Sequence, residues 1–253
     1  KNTFNVDDVG YASAAAAGLD GGSLAVTGAS VGTKQGFSII KFASGSSGNK
    51  TLSHGLLETP TFILVKTTGA SSDWSVYHKD LGGTVNNYLV LNTNAANATA
   101  SNIWGAAVPT SSVFGINPGT TCATSQDVIA YLWHDVPGLQ KFGSYIGNNS
   151  ADGPFIELGF RPSVVIVKKT DGSGLENWRL FDSVRGPINV NNKHLLPSNP
   201  ASETTETGMD FLSNGFKLRH ADAHQNQDGT TYAYLAWAEA PTVNLFGGQS
   251  NAR

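Results

Sequence analysis

The chain has 253 residues, a net charge of -3 and 14% charged residues, well below the roughly 25% usual for soluble proteins, and it is rich in glycine (29 residues). No basic run exceeds Lys168-Lys169, which excludes the concentrated cationic face that nucleic acid requires. No apolar run approaches the roughly 20 residues of a membrane span, and a single cysteine, Cys122, excludes an intrachain disulfide.

This length suits one or two domains, and abundant Gly, Ser, Thr and Asn suit short strands joined by polar turns. The chain starts Lys1-Asn-Thr with neither methionine nor secretory leader, which reads as a fragment or processed product.

Residues 1–35 read as a mostly irregular linker or arm. Val9 to Gly18 has helical propensity in its alanines, but flanking glycines oppose a helix. Next come strands expected at Phe37–Phe42, Phe62–Val65, Trp74–His78, Tyr88–Asn92, Ser112–Ile116 and Asp127–Trp133. The run Phe62-Ile-Leu-Val65 is too short for a helix and continuously apolar, as a strand covered on both faces is. Trp74-Ser-Val-Tyr-His78 alternates like a half-exposed strand.

The order then recurs at a spacing of about 100 residues. Pro60-Thr-Phe-Ile-Leu-Val-Lys returns as Pro162-Ser-Val-Val-Ile-Val-Lys, Trp74 as Trp178, Phe114 as Phe216, and Ala130-Tyr-Leu132 as Ala233-Tyr-Leu235. Second-copy strands are expected at Lys141–Ile146, Phe155–Leu158, Val164–Lys168, Trp178–Phe181, Leu195–Leu196, Gly215–Leu218 and Tyr232–Ala238. The fold expected is all-β: two tandem antiparallel β-sandwiches at residues 36–139 and 140–242, a jelly roll being one arrangement of such strands, with a tail at 243–253.

Known catalytic motifs are absent. The sequence holds no Gly-x-Ser-x-Gly elbow, no phosphate-cradling glycine loop and no His-Glu-x-x-His helix. Asp73, Asp80, Asp152, Glu157, Asp182 and Glu239 qualify as glycosidase acids by type, but no spacing pairs any two. A common site in both copies is disfavoured because His78 becomes Asp182 and Lys79 becomes Ser183. The chain is therefore expected to be no enzyme, without a cofactor, and Cys122 to be a buried small residue rather than a nucleophile.

One cluster has metal-ligand chemistry. If His220-Ala-Asp-Ala-His224 is a strand, His220, Asp222 and His224 share a face and could offer a divalent metal two imidazoles and a carboxylate. The more ordinary reading is an exposed polar strand end. Trp74 and Trp178 suit wall or core packing better than sugar stacking. Trp104 has no tryptophan counterpart and falls in an expected loop, which makes it the candidate exposed ligand-binding aromatic, with cover of a core edge as the equal alternative.

Five stretches carry a family resemblance: Gly10-Tyr-Ala-Ser-Ala-Ala-Ala-Ala-Gly18, Gly32-Thr-Lys-Gln-Gly-Phe-Ser-Ile-Ile40, Trp133-His-Asp-Val-Pro-Gly-Leu-Gln-Lys-Phe-Gly143, Asp210-Phe-Leu-Ser-Asn-Gly-Phe-Lys-Leu218 and Gln249-Ser-Asn-Ala-Arg253. The chain resembles an uncharacterised repeat family of marine tailed phages, including those of cyanobacteria, whose members are virion structural or tail-fibre proteins. The resemblance implies a virion location and the C-terminal part of a tail fibre or spike adhering to a host surface. Its implied partners are other virion proteins, further copies of itself in a homo-oligomer such as a trimer, and a host glycan or protein. A capsid or tail decoration protein is the alternative, and a polysaccharide-degrading enzyme the third reading. The family supplies no site residues.

Overall fold

The structure is a computed structural model and describes residues 3–171 and 176–239. Pro241, the tail at 243–253 and its Gln249 to Arg253 motif lie outside the described residues. The described residues form nineteen strands and no helix, so no helix there is long and apolar enough to cross a membrane. In chain order they are β1 (Phe4–Val6), β2 (Val9–Tyr11), β3 (Val26–Gly32), β4 (Phe37–Ala43), β5 (Lys50–Ser53), β6 (Phe62–Thr67), β7 (Trp74–His78), β8 (Asn87–Val90), β9 (Ala98–Thr99) and β10 (Val113–Ile116). The series continues with β11 (Asp127–Trp133), β12 (Gln140–Ile146), β13 (Phe155–Glu157), β14 (Pro162–Lys169), β15 (Arg179–Asp182), β16 (Asn191–Leu195), β17 (Thr204–Leu212), β18 (Gly215–Leu218) and β19 (Thr231–Ala238).

Two compact units result. Unit one takes the chain up to Val90 and Ala98–His134; unit two takes Leu91–Asn97 and the chain from Asp135. The units therefore divide at His134/Asp135, where the sequence suggested residue 139, and the segment up to residue 35 clusters with unit one.

Unit one contains a sheet ordered β2-β1-β3-β4-β11-β6-β7-β8-β9 and a separate pair β10-β5. Burial alternates along β11, where Val128, Ala130 and Leu132 point into the core. They meet Phe114 and Ile116 of β10, Leu52 of β5 and Ile40 and Phe42 of β4 in one cluster, a sandwich-like arrangement. Phe42 and Phe114 touch edge to face at 6.5 Å. Phe62 to Val65 are all buried, as their unbroken apolar run requires of a strand lying between β11 and β7.

The N-terminal segment differs from its sequence reading. Most of it is irregular, but it also supplies three strands, with β1 parallel to β3 and β3 antiparallel to β4. Asp7 and Asp8 both have positive φ (49° and 65°), the two-residue hairpin conformation that short acidic side chains tolerate, and it reverses β1 into β2. Asp7 then accepts hydrogen bonds from the amide and hydroxyl of Thr33 at 2.8 and 2.6 Å, tying the hairpin to the end of β3.

Unit two is one sheet ordered β12-β19-β14-β15-β16-β17-β18-β13. This succession parallels β4-β11-β6-β7-β8-β9 of unit one, with β18-β13 in the place of β10-β5. Strands β14 to β18 pair with their sequence neighbours as a meander. The register of β17 against β16 shifts between Asn191 and Lys193, and side chains of β12, β14, β15, β17, β18 and β19 share one core. Gly208 permits close packing of β17 on its neighbours: a Cβ there would meet the Phe181 ring at 2.4 Å and the Asn191 carbonyl at 2.5 Å. Phe216 of β18 consequently packs edge on against Tyr145 (6.1 Å) and Tyr234 (5.6 Å).

Candidate functional site

Unit two concentrates its ionisable side chains where the ends of three strands meet the loop after β18. Phe181 pairs with His194, and His194 with Thr204, so Arg179, His194 and Glu206 lie on one face of β15, β16 and β17. The Arg179 guanidinium, nearly buried, donates from Nη1 to Glu206 Oε2 at 2.6 Å and to His194 Nε2 at 3.1 Å. Burial pushes the Glu206 carboxyl up, but the hydrogen bond and charge of Arg179 outweigh it and hold the group below its ordinary value.

His194 is fully buried. Burial, and then the Arg179 charge, bring its pKa down to about 4, so the imidazole is neutral near pH 7. Arginine only donates, which makes Nε2 the acceptor and puts the ring proton on Nδ1. That buried Nδ1 has no hydrogen-bond partner among the described residues.

The segment Arg219 to Thr230 is turn and loop, not strand, which corrects the premise behind the His220, Asp222, His224 reading. Asp222 causes the turn: its Oδ1 accepts from the amides of His224 and Gln225, each at 3.1 Å, and its carbonyl accepts from Asn226 N at 3.0 Å. Buried Asn226 donates its side-chain amide to the carbonyls of His220 and Ser150. Two stacked tyrosines support the loop, Tyr145 donating to Gln225 O and Tyr232 to Ala223 O, both at 2.8 Å.

His220 and Asp222 do meet, with Nδ1 and Oδ2 2.7 Å apart. His224 instead turns to Glu176, where its Nδ1 meets Oε2. One ligand atom each from Glu206, His220 and Asp222 lies within 4.8 Å of the others. The structure thus brings His220 and Asp222 together with Glu206 and turns His224 to Glu176. Lys168 sits nearby, donating to the Glu176 carbonyl at 2.6 Å and the Asn94 carbonyl at 3.2 Å; burial brings its pKa down to about 8.

The other sequence candidates find structural roles. Trp104 is 0% exposed, in edge contact with Tyr77 at 5.6 Å, and its Nε1 donates to Asn87 O at 2.9 Å. It is a core residue, and with no exposed surface its indole cannot present a face to a ligand. Trp178 is buried as well, while half-buried Trp74 stacks on Tyr131 at 6.5 Å. Among the carboxylates weighed as catalytic acids, Asp152 pairs with Lys217, Asp182 with Arg185 and Glu239 with Arg161, each at 2.9 to 3.0 Å.

The architecture and this network define an all-β protein with one polar cluster at a strand-end loop. Residues 9–241 match the family described as Domain of unknown function (DUF7483), and the chain belongs to that family. Neither the curated proteins nor the solved structures contain a match.

Proposed function

We propose that this chain is a non-enzymatic virion module, the β-sandwich part of a tail fibre or spike that adheres to a host surface. The resemblance carried by the Gly10, Gly32, Trp133 and Asp210 stretches supports the virion reading, and the parallel strand orders of the two units support a duplicated structural module.

The observation that carries adhesion is the loop between β15 and β16. Val184 is 85% exposed, Ile188 78% and Val190 37%. Yet the loop is pinned. Asp182 Oδ1 accepts from the amides of Val184 (3.0 Å) and Arg185 (2.8 Å), and Asn191 Nδ2 donates to the Asp182 carbonyl at 2.8 Å. Asn189 exchanges two hydrogen bonds with the Phe211 backbone, at 2.9 and 3.1 Å. Arg185, Lys193 and Glu203 add charge around it. An apolar centre with a polar rim on a pinned loop suits recognition, because little conformational entropy is lost on contact. Covering Val184 and Ile188 would contribute about 1.5–3 kcal/mol each.

The test combines particle imaging with binding of the purified chain to host cells. Copies at the distal end of a tail appendage are expected, with cell binding reduced at least about tenfold in a Val184→Ser, Ile188→Ser double variant whose stability stays within about 0.5 kcal/mol. Copies spread over a capsid shell, without cell binding, would refute adhesion and leave the second reading, particle decoration, which the same loop supports through protein contact.

A further inference from the structure

We propose that Glu206, His220 and Asp222 form a binding site for one divalent transition-metal ion, of which Zn2+ is the best fit. The donor set decides the class. One imidazole nitrogen with two carboxylate oxygens suits borderline cations such as Zn2+, whereas Ca2+ and Mg2+ take oxygen ligands. Tetrahedral ligands about 2.1 Å from Zn2+ lie about 3.4 Å from one another. Donor atoms within 4.8 Å of each other reach that spacing by side-chain rotation.

The supporting hydrogen bonds are those that orient metal ligands. Glu206 is fixed through Oε2 on Arg179, and Asp222 through Oδ1 on two turn amides, which leaves Asp222 Oδ2 against the His220 imidazole. His220 Nδ1 and Asp222 Oδ2 lie 2.7 Å apart, which sets the imidazole and the carboxylate side by side. A metal takes imidazole without the added proton and carboxylates in the ionised form, so binding weakens in acid.

Two independent features point the same way. Three carboxylates (Glu176, Glu206 and Asp222) gather with the imidazoles of His220 and His224, so the cluster is rich in groups that hold a cation. Beside it lies fully buried His194, whose Nδ1 has no hydrogen-bond partner among the described residues. The ligand side chains are 30%, 35% and 13% exposed for Glu206, His220 and Asp222, which gives an ion an entry path and open positions for water. Arg179 opposes a cation beside Glu206, which places the affinity in the micromolar range rather than the nanomolar.

Calorimetric titration of the metal-stripped full chain, free of any histidine tag, tests the site with ZnCl2, MnCl2 and CaCl2. One Zn2+ per chain is expected, with Mn2+ at least about tenfold weaker, no Ca2+ heat and weaker Zn2+ binding at pH 5.5 than at pH 7.5. His220→Gln and Glu206→Gln should each cost at least about tenfold in affinity. Asp222→Asn, which keeps the turn acceptor, should do the same, and His224→Gln should change affinity less than about threefold. Circular dichroism melting checks that each variant is folded; the three ligand variants serve as independent tests should one fail to fold. Absence of Zn2+ binding at millimolar metal, or binding retained in the folded ligand variants, would overturn the proposal.

Discussion

Replacing Trp104 separates a core residue from a ligand platform. Its indole is fully buried, meets Tyr77 edge to face and donates one hydrogen bond to Asn87 O. Trp104→Ala removes the ring, at about 3–5 kcal/mol for a buried aromatic, and the hydrogen bond, at about 1 kcal/mol. For a unit of about 130 residues, with an unfolding entropy of about 2.1 cal/mol/K per residue, a loss of about 4–6 kcal/mol lowers Tm by about 15–22 °C. Trp104→Phe keeps most of the packing, loses the N–H donor and should lower Tm by about 7 °C, from a loss of about 2 kcal/mol. Differential scanning calorimetry of the two variants and the parent measures both shifts. A Trp104→Ala protein melting within about 3 °C of the parent would refute the core assignment, and loss of glycan binding at unchanged Tm would restore the platform reading.

Two further predictions rest on buried groups. His54 donates from Nε2 to Thr110 O at 3.1 Å and accepts at Nδ1 from Leu56 N at 3.2 Å, and burial brings its pKa down to about 4. The unfolded chain therefore binds the proton first, so this contribution is complete above pH about 6.5 and is lost as pH falls towards 4, by roughly 3 kcal/mol in all. Urea unfolding of the parent and of His54→Gln should show a shallower acid slope in the variant; equal slopes would rule the assignment out. Cys122 is buried and its thiol is pushed up to about 12 by that burial, so a thiol reagent at pH 8 should label it only after denaturation. Fast labelling of the native chain would contradict its burial.

Periodicity alone determined much of the all-β fold. The apolar run at Phe62 to Val65 became the buried part of β6, and the apolar stretch at Asp127 to Trp133 became β11, because strand-forming apolar runs are a local property of the sequence. What depends on distant partners was not legible. The polar stretch Thr204 to Glu206 has no strand pattern of its own, and it lies in β17 because β16 on one side and β18 on the other supply its ladders. Glu206 was missed with it. The expected His220, Asp222, His224 triplet failed in part because the Asp222 carboxylate favoured its own backbone amides over a strand, and that turn sends His224 to Glu176. Trp104 read as a loop aromatic, and its burial is decided by the approach of Gly115, Tyr77 and Asn87. Sequence thus sets which residues are apolar, alternating or turn-forming; only tertiary contact decides which polar groups find partners and which loop residue becomes core.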